Sequence, residues 1–213
     1  FKGRSWAAIP GNLHLSVHFA PGREVERFEV AFTVLAALSV LDALDAVPGM
    51  EGRAGLKWVN DVLLDGAKVA GVLAFTQTQD RSVSRAVLGM GVNVLATPEV
   101  EPTPFVPAVT SLRSTLGGGG DRLLPRVFQG LLDALDRNYR VLLEDGFRPL
   151  LERYRERSVI LGQEVTICSD DLHEVPQVIA SGRVLALGDS LEVFLEGRDQ
   201  PVTRGRMILG SGA

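Results

Sequence analysis

Hydrophobic residues in the first part of the chain change from one periodicity to another. Between Asn12 and Ala20 every second residue is apolar, which predicts a half-buried β-strand. From Glu24 to Ala46 the apolar residues recur at intervals of three and four, as on one face of a helix. Pro48-Gly49 ends this predicted helix. Its apolar positions are Phe28, Phe32, Leu35, Leu38 and Leu41.

Three strand-like apolar runs follow, at Leu56–Leu64, Lys68–Gln77 and Arg85–Leu95. Asp65-Gly66 joins the first two runs, and Asp-Gly between apolar runs is a strong signal for a β-hairpin. The sequence therefore predicts a hairpin followed by a third strand of the same kind.

Two lysines and a carboxylate fall on one face of this predicted hairpin. A two-residue turn would place Leu63 opposite Lys68, so that Lys57, Asp61 and Lys68 share a face and Asp61 and Lys68 are diagonal neighbours. One interpretation is an anion site, in which the lysines hold phosphate and the carboxylate holds a magnesium ion. The other is an exposed face with a surface salt bridge. The residues alone favour the exposed face, because most charged side chains are solvated.

The second half of the chain begins with an irregular segment, Glu99–Leu116, and the flexible tetraglycine Gly117–Gly120. Asp121 is the predicted N-cap of a long amphipathic helix, with Pro125 in the first turn. A shorter helix is predicted near Phe147–Arg155. The apolar positions of the long helix are Leu124, Val127, Phe128, Leu131, Leu135, Tyr139 and Leu142.

After about Ser158 the pattern changes to short strands separated by turns that contain Gly and Asp. At this length such a pattern predicts a small β-barrel. The sequence therefore predicts two domains, residues 1–157 and residues 158–213. The predicted strands of the second domain are Glu164–Cys168, Gln177–Ser181, Leu191–Leu195 and Met207–Leu209.

Composition narrows the class of protein. Of the 213 residues, 46% are hydrophobic and 23% are charged, as is typical of a soluble globular protein. The formal net charge of −4 argues against a nucleic-acid-binding surface spread over the whole chain. The longest apolar run, around Ala31–Leu41, is far shorter than the roughly 20 residues that a membrane span needs.

Cysteine and histidine suggest no metal or disulfide chemistry. Cys168 is the single cysteine, so no intramolecular disulfide can form, and a reducing compartment fits best. Its apolar, strand-like surroundings predict a small core residue. His14, His18 and His173 show no metal-ligand spacing, so we predict no zinc site.

Five segments resemble motifs of the biotin–protein ligase family and occur in the family's order. The most specific resemblance is that of Lys57-Trp58-Val59-Asn60-Asp61 to the family's Lys-Trp-Pro-Asn-Asp motif, followed at the family's spacing by Lys68–Leu73, which is similar to Lys-x-x-Gly-Ile-Leu. Gly89–Asn93 resembles Gly-x-Gly-Ile-Asn. Gly3–Trp6 resembles the end of the glycine- and arginine-rich ligand loop, and Gly11–Ser16 the strand after it.

For biotin, the resemblance implies a small set of contacts. Lys68 would contact the biotin carboxylate and the phosphate of biotinyl-adenylate. Gly71 and Gly91 would let the backbone approach biotin, which glycine permits. Lys68 and Arg4 would be the catalytic cations, because cations stabilise charge that develops on phosphorus.

For ATP, the resemblance implies a second set of residues. Trp6 and Asn93 would hold the adenine, and Arg4 and Lys57 would contact phosphate. Asp61 would lie near a magnesium ion. The implied ATP-binding residues are Arg4, Trp6, Lys57, Asn60 and Asn93.

Taken singly, several of these residues have other interpretations. Trp6 could be a core residue, since aromatic side chains are often buried. Gly89 and Gly91 could mark a β-bulge, and Asn93 could be an ordinary turn or strand-end residue.

The chain also departs from the family pattern. Val59 replaces the usual proline. The sequence contains neither the family's Ser/Thr-Thr-Asn stretch nor its biotin-contacting glutamine, and only Lys2-Gly3-Arg4 corresponds to the Gly-Arg-Gly-Arg-Arg-Gly loop. Because the chain begins at Phe1 without a methionine, we expect it to be an N-terminally incomplete part of a longer protein. No helix-turn-helix segment, and hence no repressor role, can be read from it.

The resemblance implies an α/β (α+β) protein with a class II aminoacyl-tRNA synthetase-like catalytic domain and a small C-terminal SH3-like β-barrel. It implies an ATP-dependent biotin–protein ligase that uses biotin, ATP and Mg²⁺. Such an enzyme makes biotinyl-5′-AMP and transfers biotin to a lysine of a biotin carboxyl carrier protein. We expect a cytoplasmic protein, with neither membrane nor nucleic acid as partner, and leave a homodimer open.

Two alternatives stay open at this point. One is a lipoate or octanoate transferase of the same superfamily, against which the Lys-Trp-x-Asn-Asp segment and the β-rich tail argue. The other is a non-catalytic sensor that binds biotin or its adenylate.

Overall fold

A computed structural model describes residues 6–118, 120, 122–170 and 176–210. Its larger sheet has five antiparallel strands in the order β1-β5-β4-β3-β2. Side chains alternate between partly buried and exposed where one face of the sheet is open, as in β1. The five strands are β1 (Leu13–Phe19), β2 (Ala54–Lys57), β3 (Asp61–Leu64), β4 (Ala67–Gln79) and β5 (Ser82–Val92).

Helices cover one face of this sheet. α1 (Phe28–Asp45) packs directly on the strands, and α3 (Leu123–Glu144) and α4 (Arg148–Glu156) pack on α1. Because α1 lies between two layers, it is apolar on nearly all sides, as expected of a buried helix. The short α2 (Leu112–Thr115) follows the segment after β5. The predicted start of α1 at Glu24 was four residues too early, since Arg27 adopts a left-handed backbone conformation.

A buried polar cluster joins the three long helices. The amide nitrogen of Asn138 donates to Ser39 and to Asp42, both at 3.1 Å, and its oxygen accepts from Arg153 at 2.8 Å. Arg153 also pairs with Asp42 at 2.6 Å. Each polar side chain of this cluster thus has a partner, and the resulting bonds fix α4 against α1. The next residue of α4, Tyr154, is fully buried and donates to the carbonyl of Val59 at 3.0 Å.

The predicted strand Leu56–Leu64 is wrong as a single element. The chain reverses at Trp58–Asn60 and forms β2 and β3, which pair with each other. At the second turn, Asp65-Gly66, the predicted register is confirmed, with Leu63 opposite Lys68. The first reversal was missed because Trp58 and Val59 are good strand formers, and because its stability comes from hydrogen bonds to distant parts of the chain.

The C-terminal strands form a second sheet in the order β8-β7-β6-β9. The small β-barrel that was predicted is not closed within the described residues, which form an open sheet: the edge strands β8 and β9 do not pair, and Val193 of β8 pairs with Val202 instead. The strands are β6 (Glu164–Cys168), β7 (Val178–Leu187), β8 (Val193–Leu195) and β9 (Arg206–Leu209).

The two sheets share one hydrophobic core. Leu56 of β2 accepts from Val159 and donates to Arg157, and the indole of Trp58 donates to the carbonyl of Leu191 at 2.8 Å. Arg155 donates to the carbonyl of Leu187 at 3.0 Å. The division at residue 157 stays a prediction.

Smaller expectations have mixed outcomes. Cys168 is buried, as predicted. The predicted N-cap Asp121 and the histidine His173 lie outside the described residues. None of the helices in the described ranges is both long and apolar enough to cross a membrane.

Candidate ligand site on the larger sheet

One residue from each strand of the larger sheet lies in a single row. Lys57, Asp61, Gly71, Gly91 and His14 are successive cross-strand partners, on β2, β3, β4, β5 and β1. Directly opposed residues of antiparallel strands project to the same face. The turn at Trp58–Asn60 creates this row, because it brings Lys57 opposite Asp61.

Hydrogen bonds from three directions hold that turn. Asn60 donates to the carbonyl of Val72 at 2.8 Å, Tyr154 donates to Val59, and Trp58 donates to Leu191, in the turn between β7 and β8. Burial raises the pKa of Tyr154, and the charge of Asp61 adds to the effect, so the phenol stays protonated as a donor. The positions of Lys57 and Asp61 therefore depend on α4 and on the C-terminal sheet.

The predicted pair of Asp61 and Lys68 is formed. Lys68 Nζ lies 2.5 Å from Asp61 Oδ1, and the side chains are only 19% and 17% exposed. This is not the surface salt bridge that the residues alone favoured, because both groups are largely withdrawn from water. The stem of Lys68 crosses over Gly71: a Cβ added at Gly71 would lie 3.3 Å from Lys68 Cε.

Lys57, at one end of the row, is deeply buried, at 4% exposure. Its ammonium donates to the carbonyl of Phe105 at 2.5 Å. Burial lowers the pKa of Lys57, Asp61 raises it, and Lys68 and Arg206 lower it. A buried ammonium with two cations and one carboxylate acting on it would be stabilised by a bound anion.

Gly71 and Gly91 form a flat surface beneath Trp6. A Cβ at Gly91 would lie 2.5 Å from the indole Cε2, and one at Gly71 would lie 3.0 Å from Cζ3. The indole is 37% exposed, so Trp6 is not a core residue. Its ring centroid lies 5.6 Å from Lys68 Nζ. At Gly89, by contrast, an added Cβ meets nothing closer than 3.8 Å. Pairing with β4 continues through Gly89 and Gly91, so neither glycine marks a bulge.

Asn93 is buried at the end of β5 and makes structural contacts. Its amide donates to the carbonyl of Thr110 at 3.1 Å, and its side-chain oxygen accepts from Asn12 at 3.3 Å. Asn12 in turn accepts from the backbone of Val94 and Ala96. This bridging role of Asn12 was missed, because a lone asparagine before a strand gives no signal of its distant partners. The predicted adenine contact of Asn93 stays a prediction.

The irregular segment that follows β5 folds back and covers the end of the row that holds Lys57 and Asp61. Lys68 donates its backbone N–H to Ala108 and accepts from Thr110, so this stretch runs beside β4. A small cavity of about 40 Å³ lies between the two. It is lined by Lys57, Asp61, Lys68, the segment Pro104–Ala108 and Leu209, among others. Sequence reasoning missed Phe105, since nothing local distinguishes it in a Pro-rich stretch.

A more open cleft of about 520 Å³ lies beside α2, lined by residues that include Thr97, Arg113 and Gly118. Of the predicted site residues that the structure describes, none lines it. It lacks the convergent charges of the row, so we place the candidate site at the row despite the smaller cavity there.

Two predicted features are not placed by the structure. Arg4 lies outside the described residues. Within the described ranges, no group of three or more His, Cys, Asp or Glu side chains could hold a metal ion. Asp61 is a single carboxylate, and Mg²⁺ usually completes such a site with substrate phosphates and water. A magnesium ion at Asp61 would therefore have to be carried largely by a nucleotide.

The amino-acid sequence is similar to those of proteins from one known family. The sequence profile of the biotin/lipoate A/B protein ligase family matches residues 2–93. The biotin–[acetyl-CoA-carboxylase] ligase of Paracoccus denitrificans is 31% identical over 166 residues, which cover 77% of this chain and 68% of that protein. The bifunctional ligase/repressor BirA of Bacillus subtilis is 29% identical over 148 residues, covering 69% of this chain and 44% of that protein.

Solved structures agree on the fold. A biotin protein ligase from Aquifex aeolicus in complex with biotin and ATP superposes with a TM-score of 0.72, at 23% identity, covering 99% of this chain and 83% of that one. A biotin protein ligase from Leishmania major in complex with biotin gives a TM-score of 0.56, at 15% identity, covering 99% and 82%. These structures share the fold, and the similarity to the Paracoccus denitrificans ligase shows that the chain belongs to the biotin–protein ligase family.

Proposed function

We propose that the protein containing this chain makes biotinyl-5′-AMP from biotin and ATP and then transfers biotin to a lysine of a biotin carboxyl carrier protein. In the first step a biotin carboxylate oxygen bonds to the α-phosphorus, and the bond to the bridging oxygen breaks to release pyrophosphate. In the second step the lysine amine attacks the acyl carbon, AMP leaves, and the amine proton passes to solvent. The observation that carries the proposal is the flat glycine pair with the Lys68–Asp61 ion pair at its edge.

The glycine pair suits the biotin end of the reaction. The backbone at Gly71 and Gly91 accepts a flat ring at van der Waals contact, as the Trp6 indole demonstrates. Lys68 extends over Gly71, so its ammonium would meet the biotin carboxylate and the α-phosphate at the point where they react. Trp6 covers both glycines and lies near Lys68, so its indole would have to move aside for biotin and would then lie where biotin and the nucleotide adjoin.

The other predicted residues would serve the nucleotide. Lys57 would contact phosphate, and Arg4 would join it from the loop that precedes Trp6. Asp61 would hold a magnesium ion that enters with the phosphates and supplies charge neutralisation there. Asn60 would act by holding the turn that places Lys57 and Asp61, which its bond to Val72 supports.

The proposal also covers the fold of each domain, the acceptor protein, the cellular location and the oligomeric state. The larger sheet with its helices, residues 1–157, would be a class II synthetase-like catalytic domain, and residues 158–213 would be SH3-like. A carrier protein as acceptor is supported by the name of the Paracoccus denitrificans relative. Cytoplasmic location and a homodimer remain predictions.

The full-length protein should catalyse biotin-dependent exchange of labelled pyrophosphate into ATP, because adenylate formation is reversible. The measurement is radiolabelled ATP formed with and without biotin. Exchange driven by lipoate or octanoate but not by biotin would indicate the transferase alternative. Biotin binding without exchange would indicate a sensor.

Replacement of Lys68 by alanine should slow this exchange by about 100- to 1,000-fold. A charged donor to a developing oxyanion typically contributes about 3–4 kcal/mol in the transition state. Lys68→Arg should restore only part of the rate, since the guanidinium differs in shape from the ammonium. The control is Asp65→Asn in the adjoining turn, where asparagine tolerates the left-handed backbone. Near-normal exchange by Lys68→Ala at saturating biotin and ATP would contradict the anion site.

Two glycines of β5 provide a matched test of the flat surface. Gly91→Ala should weaken biotin binding by roughly 5- to 150-fold, since overpacking of this kind costs about 1–3 kcal/mol. Gly89→Ala, two residues away on the same face, should change binding little, because its Cβ has room. Calorimetric titration with biotin measures both. Equal effects of the two substitutions would argue against biotin at Gly91.

A further inference from the structure

A histidine lies beside the glycine patch, on the side away from Lys68. His14 of β1 is the cross-strand partner of Gly91, which in turn pairs with Gly71. The His14 side chain is exposed, and directly paired residues project to the same face of a sheet. Since neighbouring strands are about 4.8 Å apart, the backbone of His14 lies roughly 10 Å from that of Gly71. A ligand that extends from Lys68 across both glycines would therefore end beside this imidazole.

The indole of Trp6 shows how a fused two-ring system lies on the patch. Its Cζ3 atom lies 3.0 Å from the position of a Cβ added at Gly71. Its Cε2 and Nε1 atoms lie 2.5 Å and 2.9 Å from the corresponding position at Gly91. Cζ3 and Cε2 are on opposite sides of the six-membered ring, so the indole lies along the row with its N–H at the Gly91 end. That end adjoins β1, the strand of His14.

Biotin has two ends of different chemistry. One end is the carboxylate, which Lys68 would hold over Gly71. The other is a fused two-ring system whose ureido group carries one carbonyl oxygen and two N–H groups. With the carboxylate at Lys68, the rings would extend towards Gly91 and His14. A neutral imidazole both donates and accepts a hydrogen bond, so it can pair with the ureido carbonyl or with a ureido N–H.

We propose that His14 binds the ureido group of biotin and is a specificity-determining residue of the glycine patch. This inference rests on the proposed function. Lipoate and octanoate also carry a carboxylate, but they have no amide-like group at the other end. Either ligand would displace water from the imidazole without replacing its hydrogen bond, which is unfavourable. His14 would thus favour biotin over the ligands of the transferase alternative.

A second histidine on the same strand serves as an internal comparison. His18 is also exposed, and it projects to the same face as His14 because four residues separate them. Its partner on β5 is Val87, so a side chain rather than bare backbone lies beside it. The two histidines are roughly 13 Å apart along β1. A ligand centred on the glycine patch would therefore contact His14 and not His18.

Replacement of His14 by alanine in the full-length protein should weaken biotin binding by roughly 3- to 10-fold, as expected for the loss of one neutral hydrogen bond. Calorimetric titration measures this for biotin, for desthiobiotin, which lacks the sulphur-containing ring, and for biotinol, which lacks the carboxylate. The factor should be the same for all three, because all keep the ureido group. In pyrophosphate exchange the KM for biotin should rise by the same factor. The kcat and the KM for ATP should not change, because the contact is remote from the reacting phosphorus.

Three control variants separate a ureido contact from simpler roles. His18→Ala should leave biotin affinity unchanged. His14→Leu should bind biotin as weakly as His14→Ala, whereas His14→Gln, which keeps a donor and an acceptor, should bind it more tightly than both. Wild-type biotin affinity in His14→Ala or in His14→Leu would overturn the proposal, and so would an equal loss in His18→Ala.

The analogues add a further outcome that would overturn the proposal. If His14→Ala weakened binding of biotin but not of biotinol, the imidazole would be contacting the carboxylate, and the ligand would lie in the opposite direction. Absence of biotin-dependent exchange in the wild-type protein would instead contradict the proposed function.

Discussion

The absence of side chains at Gly71 and Gly91 is the steric constraint on which the candidate site depends. Because these two residues face each other across β4 and β5, they leave a patch of bare backbone in the middle of the sheet. The indole of Trp6 packs so closely on this patch that a Cβ added at Gly91 would clash with it. Among the described residues, Lys57, Asp61 and Lys68 lie to one side of the patch, so a ligand with a flat apolar end and an anionic end matches it.

The charged side of the site is positioned by the rest of the fold. Lys57 and Asp61 face each other only because the chain reverses between them, and that reversal is held by Tyr154, Val72 and Leu191. These partners lie on α4, on the larger sheet and in the turn between β7 and β8. The polar cluster around Asn138 secures α4 itself. Adenylation chemistry would therefore be sensitive to the packing of elements that contact no substrate.

How far the sequence predicted this site depended on how local each interaction is. The hairpin register at Asp65-Gly66 and the pairing of Asp61 with Lys68 followed from turn chemistry and strand alternation, and both are confirmed. The reversal at Trp58–Asn60 was missed, because its hydrogen bonds come from distant residues. Phe105 could not be associated with the site, since only tertiary structure brings its carbonyl to Lys57. The barrel was predicted from strand spacing, which does not reveal whether edge strands pair.

The most direct test of the account is to observe the glycine backbone while biotin binds. In full-length protein labelled with ¹⁵N-glycine, titration with biotin should shift the amide resonances of Gly71 and Gly91 most. Resonances of remote turns, such as Gly22 and Gly146, should stay in place. Unchanged resonances of Gly71 and Gly91, with shifts at Gly117 and Gly118 beside the open cleft at α2, would contradict the assignment of the biotin site to the central sheet.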